Sequence, residues 1–259
     1  IGGPGNDTYY IRHAGQTLVE LPGEGVDTVH STVSYSLPDN FEDLVLAPIF
    51  HEEAGFASLT GTGNELDNVL IGGAGADLLS GGAGRDTLHG GLNATFAAGD
   101  SAGFPSSDTL IGGAGDDTYL FNLGDGTDRI EDVAVVGQGN RIQFGTGIVR
   151  NDLTFSQDDV ARTLTIGVGA SETDQLVLTN FDPTNANGSL VVETLAFADG
   201  STASLASLLG GPVNLAPMVA APLADQMVLE DAPLSIQIPT NTFVDQDATD
   251  ALAYSAGLA

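Results

Sequence analysis

The sequence predicts an all-β protein, a solenoid of stacked parallel strands followed by a β-rich region that caps it. Two observations carry this expectation. A nine-residue unit, Gly-Gly-x-Gly-x-Asp and then three residues with an apolar centre, recurs through the first half of the 259-residue chain. Beyond it, short alternating apolar runs separated by turn residues continue to about residue 209.

Two units stand in direct tandem, Gly72-Gly73-Ala74-Gly75-Ala76-Asp77-Leu78-Leu79-Ser80 and Gly81-Gly82-Ala83-Gly84-Arg85-Asp86-Thr87-Leu88-His89. A third begins at Gly90-Gly91-Leu92-Asn93, is interrupted, and resumes at Asp108-Thr109-Leu110-Ile111. A fourth is Gly112-Gly113-Ala114-Gly115-Asp116-Asp117-Thr118-Tyr119-Leu120, and the N-terminus carries Gly2-Gly3-Pro4-Gly5-Asn6-Asp7-Thr8-Tyr9-Tyr10. Looser copies end in Val26-Asp27-Thr28-Val29, Asp67-Asn68-Val69-Leu70 and Thr127-Asp128-Arg129-Ile130.

Each position has a physical task. Glycines reach backbone angles closed to residues with a Cβ, so the turn bends sharply and aims carbonyls inward. The eighth residue is apolar throughout (Tyr9, Val29, Leu70, Leu79, Leu88, Leu110, Tyr119, Ile130), as a short strand over a narrow core requires. Six turn residues and three strand residues make half a coil, so residues 18 apart stack on one side. Asn68, Asp86 and Asp117 then line one side, and Asp77, Asp108 and Asp128 the other. Asp7 and Asp27 are expected in a separate, looser stretch.

Stacked carboxylates above inward carbonyls suit a hard cation. Calcium takes six to eight oxygens at about 2.3–2.6 Å, whereas magnesium demands a tighter octahedron and keeps more water. The expected cofactor is therefore Ca2+, several ions of it. The candidate ligands are the side chains of Asp7, Asp27, Asn68, Asp77, Asp86, Asp108, Asp117 and Asp128. Backbone oxygens come from Gly2, Gly72, Gly73, Ala74, Gly75, Gly81, Gly82, Ala83, Gly84, Gly112, Gly113, Ala114 and Gly115. Without the ion the carboxylates repel and the glycine turns have little reason to order, so folding should be coupled to metal binding.

This pattern resembles the RTX, or haemolysin-type, nonapeptide repeat, which implies a calcium-stacked parallel β-roll over residues 59–132. Residues 1–58 are similar to the degenerate coils that flank such repeats, through Gly25-Val26-Asp27-Thr28-Val29, Ser34-Tyr35-Ser36-Leu37 and Glu42-Asp43-Leu44-Val45-Leu46. The resemblance further implies a secreted or cell-surface location, reached by type I export and followed by folding in extracellular calcium.

Residues 133–209 are expected to form the β-rich capping region, with strands at Arg141–Phe144, Leu164–Val168, Gln175–Leu178 and Glu193–Phe197. A roll's open end exposes unpaired backbone groups, and a cap covers them. Residues 210–217 read as a linker, and 218–259 resemble the start of a dystroglycan-type cadherin-like β-sandwich, truncated here. Asp245, Asp247 and Asp250 are taken as an acidic surface turn. Since the chain opens inside a repeat and stops in mid-pattern, it is expected to be a piece of a longer protein.

Composition excludes other classes. The 35 acidic residues face 6 basic ones, all Arg, for a formal net charge of −29. Such a field repels nucleic acid and anionic membrane. With no Cys there is no disulfide and no thiolate metal site. No apolar run is long enough to insert into a membrane. Calcium is the partner the residues point to, with other domains of the same chain or a cell-surface ligand beside it.

Catalytic motifs are weak. Gly99-Asp100-Ser101-Ala102-Gly103 fits a nucleophile elbow, but Phe104-Pro105-Ser106-Ser107 follows where a helix should start. His13, His30, His51 and His89 share no ligand spacing, and Glu52-Glu53 reads as a charged turn. A chain without Lys cannot form a P-loop. The segment is expected to be non-catalytic, serving a large adhesin-like protein or, alternatively, a secreted protease, lipase or epimerase whose active domain lies elsewhere.

Overall fold

The computed structural model describes residues 2–47, 50–51, 55–91, 107–133, 139–170, 173–181, 190–209, 218–219 and 243–244. The chain divides into two compact units, 1–209 and 210–259. In chain order the strands are β1 (Thr8–Ile11), β2 (Thr28–Ser31), β3 (Tyr35–Ser36), β4 (Asp43–Leu46), β5 (Phe50–His51), β6 (Gly55–Phe56) and β7 (Thr60–Thr62). There follow β8 (Val69–Ile71), β9 (Leu78–Ala83), β10 (Thr87–His89), β11 (Thr109–Ala114), β12 (Thr118–Phe121), β13 (Thr127–Ile130) and β14 (Arg141–Phe144). The rest are β15 (Leu153–Asp158), β16 (Thr163–Val168), β17 (Gln175–Leu178), β18 (Thr194–Ala196), β19 (Thr202–Ser204), β20 (Met218–Val219) and β21 (Phe243–Val244). Helix among the described residues amounts to a 3-10 turn at Arg150–Asp152 and one α turn, α1 (Leu205–Leu208).

The first unit is nearly all β, built on two sheets. One runs β1-β2-β4-β8-β10-β12-β14-β18-β19 and the other β15-β16-β17-β13-β11-β9-β7-β3. From β2 to β4 and from β7 to β14 the chain alternates between them, and every pairing within that coiled part is parallel. The strands can be this short because each needs to send only one or two side chains inward. Val29, Leu44, Leu70, Leu88, Tyr119, Ile142 and Leu195 lie in register across the first sheet, all fully buried. Leu79, Leu110, Ile130 and Leu178 form the matching ladder on the second. The intervening residues, such as Thr87 and His89, are only partly buried.

Parallel pairing ends at the C-terminal side of this unit. There β17 pairs antiparallel with β16, β16 with β15, and β18 with β19. Strands occur close to the four expected positions, while β15 and β19 had no counterpart in the sequence expectation. The sheets also cross residue 58 without a break, because β4 pairs directly with β8 and the extra residues between them hold the β5–β6 hairpin. In the second unit β20 pairs antiparallel with β21. The 210–217 linker, Asp245, Asp247, Asp250 and most of the cadherin-like segment lie outside the described residues.

Candidate metal sites

The turns between the two sheets form two columns. Strand register places Asp7, Asp27, Glu42, Asn68, Asp86, Asp117, Asn140 and Glu193 successively in the first, each just before a strand of the first sheet. Asp77, Asp108 and Asp128 stack in the second. Asp7 and Asp27 thus share a column with Asp86 and Asp117, which corrects the expectation of a separate stretch.

One hydrogen-bond rule runs through both columns. The Asp86 Oδ1 accepts the Asn68 N–H at 2.8 Å, and the Asp117 Oδ1 accepts the Asp86 N–H at 2.9 Å. Asp27 accepts from Asp7 at 2.8 Å, Asp77 from Leu59 at 2.7 Å, Asp108 from Asp77 at 2.7 Å and Asp128 from Asp108 at 3.2 Å. Each carboxylate therefore holds the preceding coil with one oxygen. The other oxygen, Oδ2 of Asp27, Asp77, Asp86, Asp108, Asp117 and Asp128, is buried and has no protein partner.

Local sequence dictates this arrangement. A Cβ on Gly81 would lie 2.2 Å from the Asp86 Oδ2, and one on Gly112 would lie 2.2 Å from the Asp117 Oδ2. Only glycine leaves room for the carboxylate to fold back over its own turn. The fourth position needs glycine for its backbone, with φ of +121°, +114° and +135° at Gly75, Gly84 and Gly115. The interrupted third copy is reassembled in space, since the Gly90 Cβ position lies 2.3 Å from the Asp108 Oδ2.

Burying a carboxylate with one oxygen unpartnered is unfavourable, and the groups respond. Burial is the leading cause of every shift: Asp77 and Asp117 are pushed up to about 6, Asp86 and Asp108 to about 7, and Asp128 to about 9. Neighbouring carboxylates raise several further, Asp117 acting on Asp86 and Asp108 on Asp128. A cation among these oxygens would reverse the preference and keep them ionised. Among the described residues, no three His, Cys, Asp or Glu side chains converge on one point. An ion here would draw much of its shell from turn carbonyls, which suits calcium.

The remaining candidates differ from this group. Asp7 is half-buried. The Asn68 Oδ1 accepts its own turn's Asn64 N–H at 2.7 Å, and its Nδ2 donates to the Phe41 and Glu42 carbonyls, both at 3.1 Å. Sequence reasoning missed a second ladder at the fifth position, running in the opposite sense. Asn6, Asp67 and Asp116 accept N–H groups of the following coil, from Val26, Arg85 and Gly139, at 3.0, 2.8 and 2.7 Å. The signal was the recurrence of Asn or Asp one residue before the ligand position. Asp125, whose Oδ1 is also buried and partnerless, was missed as well.

The Gly99–Gly103 elbow, Glu52, Glu53 and the His51 side chain fall outside the described residues. His30 stacks on Tyr10 with centroids 5.4 Å apart, and the His89 Nε2 lies 3.0 Å from the Asp125 Oδ2. No helix among the described residues is long and apolar enough to cross a membrane.

Comparison with known proteins agrees with this geometry. Residues 62–96 and 105–130 match the RTX calcium-binding nonapeptide repeat, in four copies. The chain thus carries calcium-binding repeats, and Ca2+ is the ion they take. A stretch of 79 residues, 30% of this chain, is 38% identical to the endo-1,3-1,4-beta-glycanase ExsH of Rhizobium meliloti. A stretch of 73 residues, 28% of the chain, is 40% identical to the endo-1,3-1,4-beta-glycanase EglC of the same organism. The matches span only 15% and 14% of those two proteins.

Proposed function

We propose that this chain is a non-catalytic structural module of a secreted or cell-surface bacterial protein, a calcium-stacked parallel β-roll that folds when calcium binds after export. The observation that carries the reading is the set of six buried aspartate oxygens without protein partners, arranged in two columns beside glycine turns. In this reading residues 1–58 are degenerate coils of the roll, 59–132 its calcium-loaded centre and 133–209 its cap. A linker at 210–217 then leads to a cadherin-like segment at 218–259. Extracellular calcium modules bind with Kd of about 10⁻⁴–10⁻³ M, so cytosolic calcium leaves them empty before export. A site at ten times its Kd stabilises the folded state by about 1.4 kcal/mol, and several together decide whether the chain folds.

Two parents fit such a module. The cadherin-like resemblance after residue 217 favours an adhesin-like surface protein. The names of the two relatives favour a calcium-binding appendage of a secreted polysaccharide-cleaving enzyme, with its catalytic domain elsewhere. The coding sequence on either side of this chain separates them. For the module itself, the test is calcium titration of the chelator-stripped chain, followed by calorimetry and circular dichroism. Several bound ions and a gain of β signal are expected. A melting temperature indifferent to calcium, with no ion bound, overturns the reading.

A further inference from the structure

A pocket of about 380 Å³ opens on the rim of the first column, a volume in the range of small-molecule sites. It crosses four successive coils and is lined by Asp67, Arg85, Thr87, Asp116, Thr118 and Arg141, with Gly139 on the last coil. Thr87, Thr118 and Arg141 lie in register on β10, β12 and β14, so strand pairing sets their spacing at about 4.8 Å per step. No aliphatic or aromatic side chain lines the pocket.

Its polar groups are held in place without being used up. The Arg141 Nε donates to the Thr118 Oγ1 at 3.0 Å, while its two Nη groups make no hydrogen bond among the described residues. The Asp116 Oδ1 accepts the Gly139 N–H at 2.7 Å, and Oδ2 has no partner among the described residues. Arg85 spends one nitrogen on Asp67 at 3.3 Å and keeps its other donors. Free donors and free acceptors thus stand along one strip of the surface.

This mixture selects a ligand class. Two of the six arginines of the chain line the pocket, which disfavours a metal ion. Three carboxylates, Asp67, Asp116 and Asp117, outnumber them, and with a net charge of −29 the chain repels anions. An apolar ligand finds nothing to pack against. A pair of adjacent hydroxyls suits the lining, because each can accept from a guanidinium and donate to a carboxylate. We propose that this pocket binds a neutral saccharide, with neighbouring hydroxyls held between the Arg141 guanidinium and the Asp116 carboxylate. Arg85 and Thr87 extend the contact to earlier coils. The site gives the ligand of the module a chemical class, and it rests on the calcium-module reading because the coils must be folded to form it.

The test is chemical-shift titration of the whole chain in calcium with maltotriose, cellotriose and laminaritriose. A galacturonate trimer and free alanine serve as charged comparators. Saturable shifts at Thr87, Thr118 and Gly139 are expected with at least one neutral trimer. Arg141→Gln should weaken that binding about tenfold or more, as loss of a hydrogen bond from a charged group requires. A Cβ on Gly139 meets no heavy atom closer than 3.9 Å, so Gly139→Leu fills the pocket without a clash and should weaken binding as much. Arg150→Gln, outside the pocket, is the control and should bind as wild type does. Should Arg141→Gln fail to fold, Gly139→Leu decides. No shift at these residues with any neutral trimer overturns the proposal, as does tighter binding of the galacturonate trimer or of alanine. A chain that stays unfolded in calcium overturns the module reading and this site with it, whereas a folded chain without these shifts overturns the site alone.

Discussion

A single aspartate does two jobs in this fold. In Asp86, one carboxylate oxygen ties the preceding coil through the Asn68 N–H while the other is left for a cation. Asn68 shows what happens when the second job is dropped. Its amide nitrogen is committed to two carbonyls, Phe41 and Glu42. Asn68→Asp would replace that donor with an acceptor facing two carbonyl oxygens. It is expected to lose about 1–3 kcal/mol in denaturant unfolding at saturating calcium and to gain no additional ion. A variant that binds one more calcium than wild type would contradict this. The aspartates proposed as ligands were legible because the same residue type recurs at a fixed period beside glycine. Asp125 was not, since it sits in the irregular Asn122–Gly126 turn, which does not follow the nonapeptide.

At the scale of the element, the eighth position explains both the regular strands and an exception. Leucine there fills the core, but Tyr119 extends further and ends in a polar group. Its hydroxyl accepts the Gly112 N–H at 3.1 Å and donates to Asp132, which also accepts the Asn140 Nδ2 at 2.9 Å. Asn140 in turn accepts the Asp117 N–H at 2.8 Å, taking the ladder position that an aspartate holds in the coils before it. The first column thus passes from carboxylates with free oxygens to a closed hydrogen-bond network at β14. Tyr119→Phe leaves the Gly112 N–H unpaired and takes one donor from a buried carboxylate. The expected cost is about 1–3 kcal/mol in chemical denaturation, with the calcium count unchanged. Wild-type stability in this variant would show that the network is incidental. The strands of the coils were readable from glycine spacing and the apolar eighth residue. Strand β15 was not, because Leu153–Asp158 lies at a sheet edge with four of its six residues exposed, so burial imposes no clean alternation on it.

For the whole molecule, the buried carboxylates and the net charge of −29 set opposite pH responses with and without calcium. Asp77, Asp86, Asp108, Asp117 and Asp128 ordinarily titrate at 3.8, and burial raises them to between about 6 and about 9. Without metal the folded chain therefore holds more protons than the unfolded chain above about pH 4. Their contribution to stability is fully present below that pH and is lost as pH rises through 6 and 7, with Asp128 following near 9. In the proposed sites calcium would invert the sign, because it would bind the ionised carboxylates and displace those protons. In chelator the melting temperature should fall from about pH 5 to about pH 8, while in excess calcium it should rise over the same interval. Self-repulsion of the surface acidic groups also lowers stability as pH rises, but added salt screens it. A metal-free slope that persists at high salt therefore belongs to the buried columns, and one that vanishes would assign the pH response to the surface charge instead.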